Sequence, residues 1–271
     1  MKQLTVFLYT NILCKKIYDE FGYNLGILKD VYVTTEEGYP RIIGYRLKKD
    51  GVVYNYEFRD ISFYDDGGKI VIKTKGSKEI LPRTYSYLLS KHLLDKKIVD
   101  INGKQVVRVD DLRIAKIAGE YRVVAVETGP LAKYRRMGIG WLAKFIYKIL
   151  GKNYDDTVLM WDDVESLEMI NNNLKLQIPY KKLSKLHPAD LADILEELDS
   201  KSRKQVFESL DEDLAADTLE ELDQEFKGTI IKELSESKAA ELLENMPSDE
   251  IADLLDELDE DKEVIDIEVL K

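Results

Sequence analysis

Two aspartates four residues apart, in the run Asp249-Glu250-Ile251-Ala252-Asp253, form a pattern with chemical meaning. On a helix an i, i+4 spacing puts both carboxylates on one face. Carboxylate oxygens so placed suit a hard cation that keeps several of its waters. A plainer reading stands beside this one: Asp249 as a helix N-cap and Asp253 as a solvated surface acid. The chain holds 52 acidic residues, so carboxylate pairs also arise by chance. Other chemistries find less support. There is no phosphate loop, no G-x-G-x-x-G, no H-E-x-x-H and no C-x-x-C. His92 and His187 stand apart from any partner triad, and His187 opens the run His187-Pro188-Ala189-Asp190, where a helix-start role is expected. Cys14 is the only cysteine, which fits a reducing compartment. The reading is of a chain that is not an enzyme.

The acids have to be positioned by short helices. Leu195/Leu198, Phe207/Leu210, Leu219/Leu222, Ile231/Leu234, Leu243/Met246 and Leu255/Leu258 recur every 12 residues. Twelve residues suit one helix of about two turns plus a tight connection. Helices that short are marginal alone and must bury their Leu stripe on neighbours, which predicts an all-α superhelical solenoid over 180–271. Asp213, Glu225, Ser237, Asp249 and Asp261 are expected at the helix N-termini, for capping and dipole reasons. Residues 187–271 carry 29 Asp and Glu against 8 Lys and Arg, a net of -21, so residues 1–186 carry +9. The acidic part should attract cations or basic partners and repel nucleic acid.

The stretch ahead of the helices is β-patterned and duplicated. Lys15-Lys16-Ile17-Tyr18-Asp19-Glu20-Phe21-Gly22 aligns with Lys96-Lys97-Ile98-Val99-Asp100-Ile101-Asn102-Gly103 at an offset of 81. Asp30 falls on Asp111 and Arg41-Ile42-Ile43 on Arg122-Val123-Val124. Phe58-Arg59-Asp60-Ile61-Ser62 then meets Trp161-Asp162-Asp163-Val164-Glu165 at an offset of 103, so the second copy holds an insertion of about 22 residues. Short strands punctuated by Asp-x-x-Gly turns predict two small β-barrels, over 1–80 and 88–170. The insertion, 130–152, carries five basic residues and no acid up to Leu150. Leu142, Phe145, Ile146 and Ile149 fall on one helical face. Two uses follow for this segment. Its apolar face packs on its own barrel, or Lys133, Arg135, Arg136, Trp141, Lys144 and Lys148 contact an anionic membrane surface or a partner.

Both copies resemble PRC-barrel domains in their K-I-x-D-x-x-G opening, their R-(I/V)-(I/V) strand and their closing D-(I/V)-(S/E) strand. That family's barrels serve mostly as adaptors. The run Leu186-His187-Pro188-Ala189-Asp190-Leu191-Ala192, with Ala215-Ala216-Asp217 and Asp249–Leu255, resembles the intracellular N-terminal domain of MgtE magnesium transporters. The resemblance implies a helical superhelix beneath a membrane pore, followed by CBS domains, with Mg2+ bound between the two. By motif position it implies that Asp217, Asp249 and Asp253 are metal residues, with Mg2+ held weakly.

The fold class expected is therefore α+β multidomain: two PRC-barrel-like barrels, then the acidic helical solenoid. The function expected is a non-catalytic cytoplasmic regulatory or sensor module of Mg2+ transport, peripheral to the inner face of the membrane. Its partners would be CBS domains or a divalent-cation transporter, and the chain would be a fragment of a longer protein. A protein-interaction scaffold without specific metal, and an RNA- or ribosome-associated adaptor, are the alternatives.

Overall fold

The computed structural model describes residues 1–35, 38–59, 61–76, 78–79, 86–140, 149, 157–169, 180–245 and 251. In chain order the strands and helices are β1 (Lys2–Gln3), β2 (Val6–Leu8), α1 (Tyr9–Ile12), β3 (Lys16–Tyr18), β4 (Asn24–Thr34), β5 (Arg41–Lys49), β6 (Val52–Glu57), β7 (Ile61–Asp66) and β8 (Lys69–Thr74). Then come β9 (Tyr87–Leu88), α2 (Leu89–His92), β10 (Lys97–Asp100), β11 (Gln105–Arg108), β12 (Asp111–Ile117), β13 (Glu120–Thr128), α3 (Pro130–Arg136), β14 (Thr157–Met160) and β15 (Val164–Ser166). The remaining helices are α4 (Pro188–Glu197), α5 (Ser200–Phe207), α6 (Glu212–Glu221), α7 (Gln224–Glu233) and α8 (Glu236–Asn245). The chain divides into two compact units, Met1–Ile98 with Val107–Asn173, and Val99–Val106 with Leu174–Lys271.

For the part of the chain ahead of the helices the expectation was two small β-barrels. The described residues build a twelve-stranded sheet fed by both copies, in the order β1-β7-β8-β3-β4-β5-β13-β12-β2, with β6 on β5, β14 on β13 and β9 on β4, and a three-stranded sheet in the order β11-β10-β15. The strands join because β5 and β13, the equivalent strands of the two copies, pair with each other at Arg41↔Arg122. Two-residue connections make the hairpins. Asp50-Gly51 links β5 to β6 and Ala118-Gly119 links β12 to β13, with every one of these residues at positive φ, as a type I′ turn requires. The copies share a core as well. Phe7, Phe58 and Phe63 of the first copy pack with Tyr121 of the second at ring separations of 5.3–5.8 Å.

The register supports the alignment read from sequence. Gly44 pairs with Glu57 in the first copy. Ala125 pairs with Met160 in the second, which is the same pair displaced by 81 and 103 residues. Phe58, Ile61, Trp161 and Val164, aligned across the insertion, are all buried.

In the second unit the helices begin at residues 188, 200, 212, 224 and 236, one every 12 residues. Leu191, Arg203 and Ala215 are buried in register, and so are Leu195, Phe207 and Leu219, giving α4, α5 and α6 the i, i+4 stripe they need. Alternate helices pack together: α4 on α6, α6 on α8, and α5 on α7. The cap lies two residues before the position expected. Asp199 accepts from the Ser202 N–H at 3.1 Å, Asp211 from Leu214 at 3.0 Å and Ser235 from Lys238 at 3.4 Å. Asp213 falls inside the first helical turn, where the dipole argument holds but the cap geometry does not, and the side chain of Glu225 lies outside what the structure describes. His187 caps α4 as anticipated, its Nδ1 accepting from the Ala189 N–H at 3.3 Å.

Replacing the cap aspartate should therefore cost more than replacing the acid two residues on. We expect Asp211→Ala to lower stability by about 1 kcal/mol and Asp213→Ala by only a few tenths. Urea denaturation followed by far-ultraviolet circular dichroism checks the order.

Candidate functional site

The β-rich unit holds two buried aspartates at equivalent places, Asp30 on β4 and Asp111 at the start of β12. A buried carboxylate needs donors, and each receives one from its own strand: the Val31 N–H to Asp30 and the Leu112 N–H to Asp111, both at 2.8 Å. The other donors come from the opposite copy. Thr10, in α1, gives Asp111 its N–H at 3.1 Å and its hydroxyl. Ser90, in α2, gives Asp30 its N–H at 3.2 Å and its hydroxyl. The two seats then differ. The Tyr9 hydroxyl completes Asp30, and burial, followed by the Asp30 charge, holds that phenol well above its usual range. Leu89 stands where the first copy has Tyr9, and the second seat takes an arginine instead.

That arginine comes from the insertion. Pro130 opens α3, whose Arg135 reaches Asp111 at 3.2 Å and Glu127 at 2.7 Å. Glu127 is buried as well and accepts from Arg113 at 2.6 Å. Burial works against the Arg135 charge, but its hydrogen bonds to Glu127 and Asp111 outweigh this and hold it above its ordinary range. Arg136 makes a two-pronged contact with Asp95, at 2.8 and 2.9 Å, and Arg108 adds a third bond at 2.7 Å. The Arg136 hydrogen bond is the main cause that keeps the Asp95 carboxyl far below the usual carboxylate range. Of the six residues expected to meet a membrane or partner, Arg135 and Arg136 thus engage acids of this same unit. Lys133 is exposed. Trp141, Lys144 and Lys148 lie outside the described residues.

Of the three expected metal residues, Asp217 alone falls among the described residues. Asp217 is exposed on α6. Asp249 and Asp253 lie outside the described residues. No group of three metal-ligating side chains occurs among the residues described. Asp217 by itself offers one carboxylate, too few for a site of its own.

Several other acids of the helical unit bind backbone or a lysine. Glu196 of α4 accepts from the Asp223 N–H at 2.9 Å, and Glu208 accepts from the Ser235 N–H at 3.1 Å. Both bonds span 27 residues, and the second is the first displaced by one repeat. Asp190 holds Lys104 at 2.7 Å and Glu197 accepts from the Val106 N–H at 3.1 Å, which ties the hairpin tip Val99–Val106 to α4. The buried Arg203 donates to the Leu195 and Leu198 carbonyls at 3.0 and 2.9 Å, neutralising the negative end of α4, and lies 4.9 Å from the Phe226 ring.

Comparison with known families places two matches on this chain. Residues 4–79 match the PRC-barrel domain, and residues 186–265 match the MgtE intracellular N domain. The search of curated proteins returns no match. The first match ends short of β9 and α2, the segment that completes its Asp30.

Removing Arg135 would leave Asp111 and Glu127 short of their shared cation. Arg135→Ala should cost about 3 kcal/mol. Lys133→Ala, on the same helix, should stay within about 0.5 kcal/mol. Asp95 sets a pH dependence. Its folded carboxyl titrates below its unfolded one, so its contribution is present above the unfolded value and fades as pH falls from about 4 downward. Arg136→Ala should accordingly lower the urea midpoint at pH 7 and bring it closer to wild type at pH 3.

Proposed function

We propose that the chain is a non-catalytic cytoplasmic regulatory module of divalent-cation transport, with Mg2+ as the cation. In this reading the acidic helices meet CBS domains or a transporter, and the duplicated β-rich unit is the adaptor that docks them. The observation that carries the reading is the match of residues 186–265 to the MgtE intracellular N domain, with helices recurring every 12 residues across the described part of that span. Two further features support it. No helix of the described residues is long and apolar enough to cross a membrane, as a module working beside a pore requires. The net of -21 over 187–271 gives that face a standing attraction for cations.

Mg2+ dehydrates reluctantly and is usually held by one or two carboxylates and several waters. Asp217, Asp249 and Asp253 would supply the carboxylates on this side, and acids of the partner would supply the rest. Alone, the chain should hold Mg2+ at about millimolar strength, the weak end of oxygen-ligand sites. The scaffold reading differs in one respect: its acids attract ions diffusely, and no three of them matter more than any other three.

Thermal unfolding with and without Mg2+ at constant ionic strength separates these readings. At Mg2+ tenfold above its dissociation constant, wild type should gain about 1.4 kcal/mol. Asp217→Asn with Asp249→Asn and Asp253→Asn should abolish most of that gain. A charge-matched control, Glu212→Gln with Glu221→Gln and Glu244→Gln, should keep it. Equal loss in both variants would replace the sensor with the scaffold, and no gain in wild type would remove Mg2+ from the function.

A further inference from the structure

Within the β-rich unit the two copies are related as the two chains of a symmetric dimer are. Arg41 and Arg122, equivalent residues, face each other across the antiparallel pair of β5 and β13, as equivalents do at a twofold axis. Glu120 binds both, Arg41 at 3.1 Å and Arg122 at 2.7 Å. Away from this axis the contacts come in exchanged pairs. Leu8 of the first copy pairs with Arg113 of the second, and Leu88 of the second with Tyr32 of the first. Phe7↔Ile114 answers Tyr87↔Val33 in the same way. Thr10 on Asp111 answers Ser90 on Asp30. In each case a leading arm, β2 with α1 or β9 with α2, pairs with a strand of the other copy and gives its hydroxyl to the other copy's aspartate, while Tyr9 of the first arm also reaches Asp30 of its own copy.

The arms share a pattern not visible at the 81-residue offset, because the second copy carries one residue more between its arm and Asp111 than the first carries before Asp30. At an offset of 80, Phe7-Leu8-Tyr9-Thr10 superposes on Tyr87-Leu88-Leu89-Ser90: an aromatic, a leucine, a large apolar residue and a hydroxyl. Each position has a use. The aromatic and the leucine pair along the receiving strand, the third residue is buried, and the hydroxyl closes on the aspartate.

We propose that this unit is a fused, strand-exchanged dimer, in which the slot beside Asp30 and the slot beside Asp111 are each a recognition site for the arm of a second repeat of this type. The covalent link between the copies is not what holds them together. An arm delivered by a separate chain, with an aromatic-Leu-apolar-Ser/Thr sequence, satisfies the same buried aspartate.

Two measurements on the full chain test this. In the first, a protease site is inserted between Glu79 and Ser86 and cut. The two pieces should co-elute under native conditions, separate in denaturant and reassociate on its removal. Elution as two separate folded species would overturn the proposal. The second measurement uses intact chains and backbone hydrogen exchange. Thr10→Val should speed exchange about tenfold in β12, the strand of the other copy, and leave β4 near wild type, the loss of one buried hydrogen bond to a charge. Ser90→Ala should do the reverse, loosening β4 and sparing β12. Faster exchange in the mutated arm's own copy, or in neither strand, would equally overturn it.

Discussion

A carboxylate inside an apolar sheet must be met by donors, and this requirement governs the β-rich unit. Asp30 and Asp111 are both buried, and one backbone N–H cannot satisfy a charged group. The missing donors lie on one-turn helices that alone would not be stable in water. Helix and aspartate are therefore mutually dependent: the carboxylate fixes the helix start, and the helix makes the buried charge tolerable. Since Thr10 and Ser90 each reach the aspartate of the opposite copy, the same requirement joins the copies into a common sheet and one aromatic core. The insertion helix follows the rule too. It delivers a guanidinium where the second copy lacks the tyrosine hydroxyl of the first.

The helical unit applies the idea at its surface. Its carboxylates are numerous, but many have assigned tasks. Asp199 and Asp211 close helix starts, while Glu196 and Glu208 take up backbone donors three helices further on. Such bonds spread negative charge over the ends of successive helices without bringing three acids together among the described residues.

Much of this was legible in the sequence, because period and register are local properties. The 12-residue rhythm places every described helix start of the helical unit, and the repeat alignment recurs in the register, where Gly44↔Glu57 of the first copy answers Ala125↔Met160 of the second. The helix caps were misread by two residues, since Asp and Ser occur both at the cap and in the first turn, and only backbone geometry distinguishes them. Arg135 and Arg136 read as surface charge because their acidic partners lie 8–41 residues away in sequence. The exchange of arms was beyond reach for a related reason. Aligning two copies shows which residues correspond, but not which copy each one touches, and Thr10 meets Asp111 across 101 residues. The paired aspartates themselves were visible as an aligned polar position amid apolar strand residues, and that was the available clue.

The bonds that span 27 residues constrain how this chain can change length over evolutionary time. Glu196 and Glu208 each reach the third helix beyond their own, so inserting or deleting a few residues anywhere between donor and acceptor moves every later cap and acceptor out of phase. Gaining or losing one 12-residue unit restores the caps but sends α6 and its successors to the opposite row, since helices pack on alternate neighbours. Only whole pairs of helices preserve both relations. Relatives should accordingly differ in length by multiples of 24 residues within this unit, and other gaps should gather at its ends.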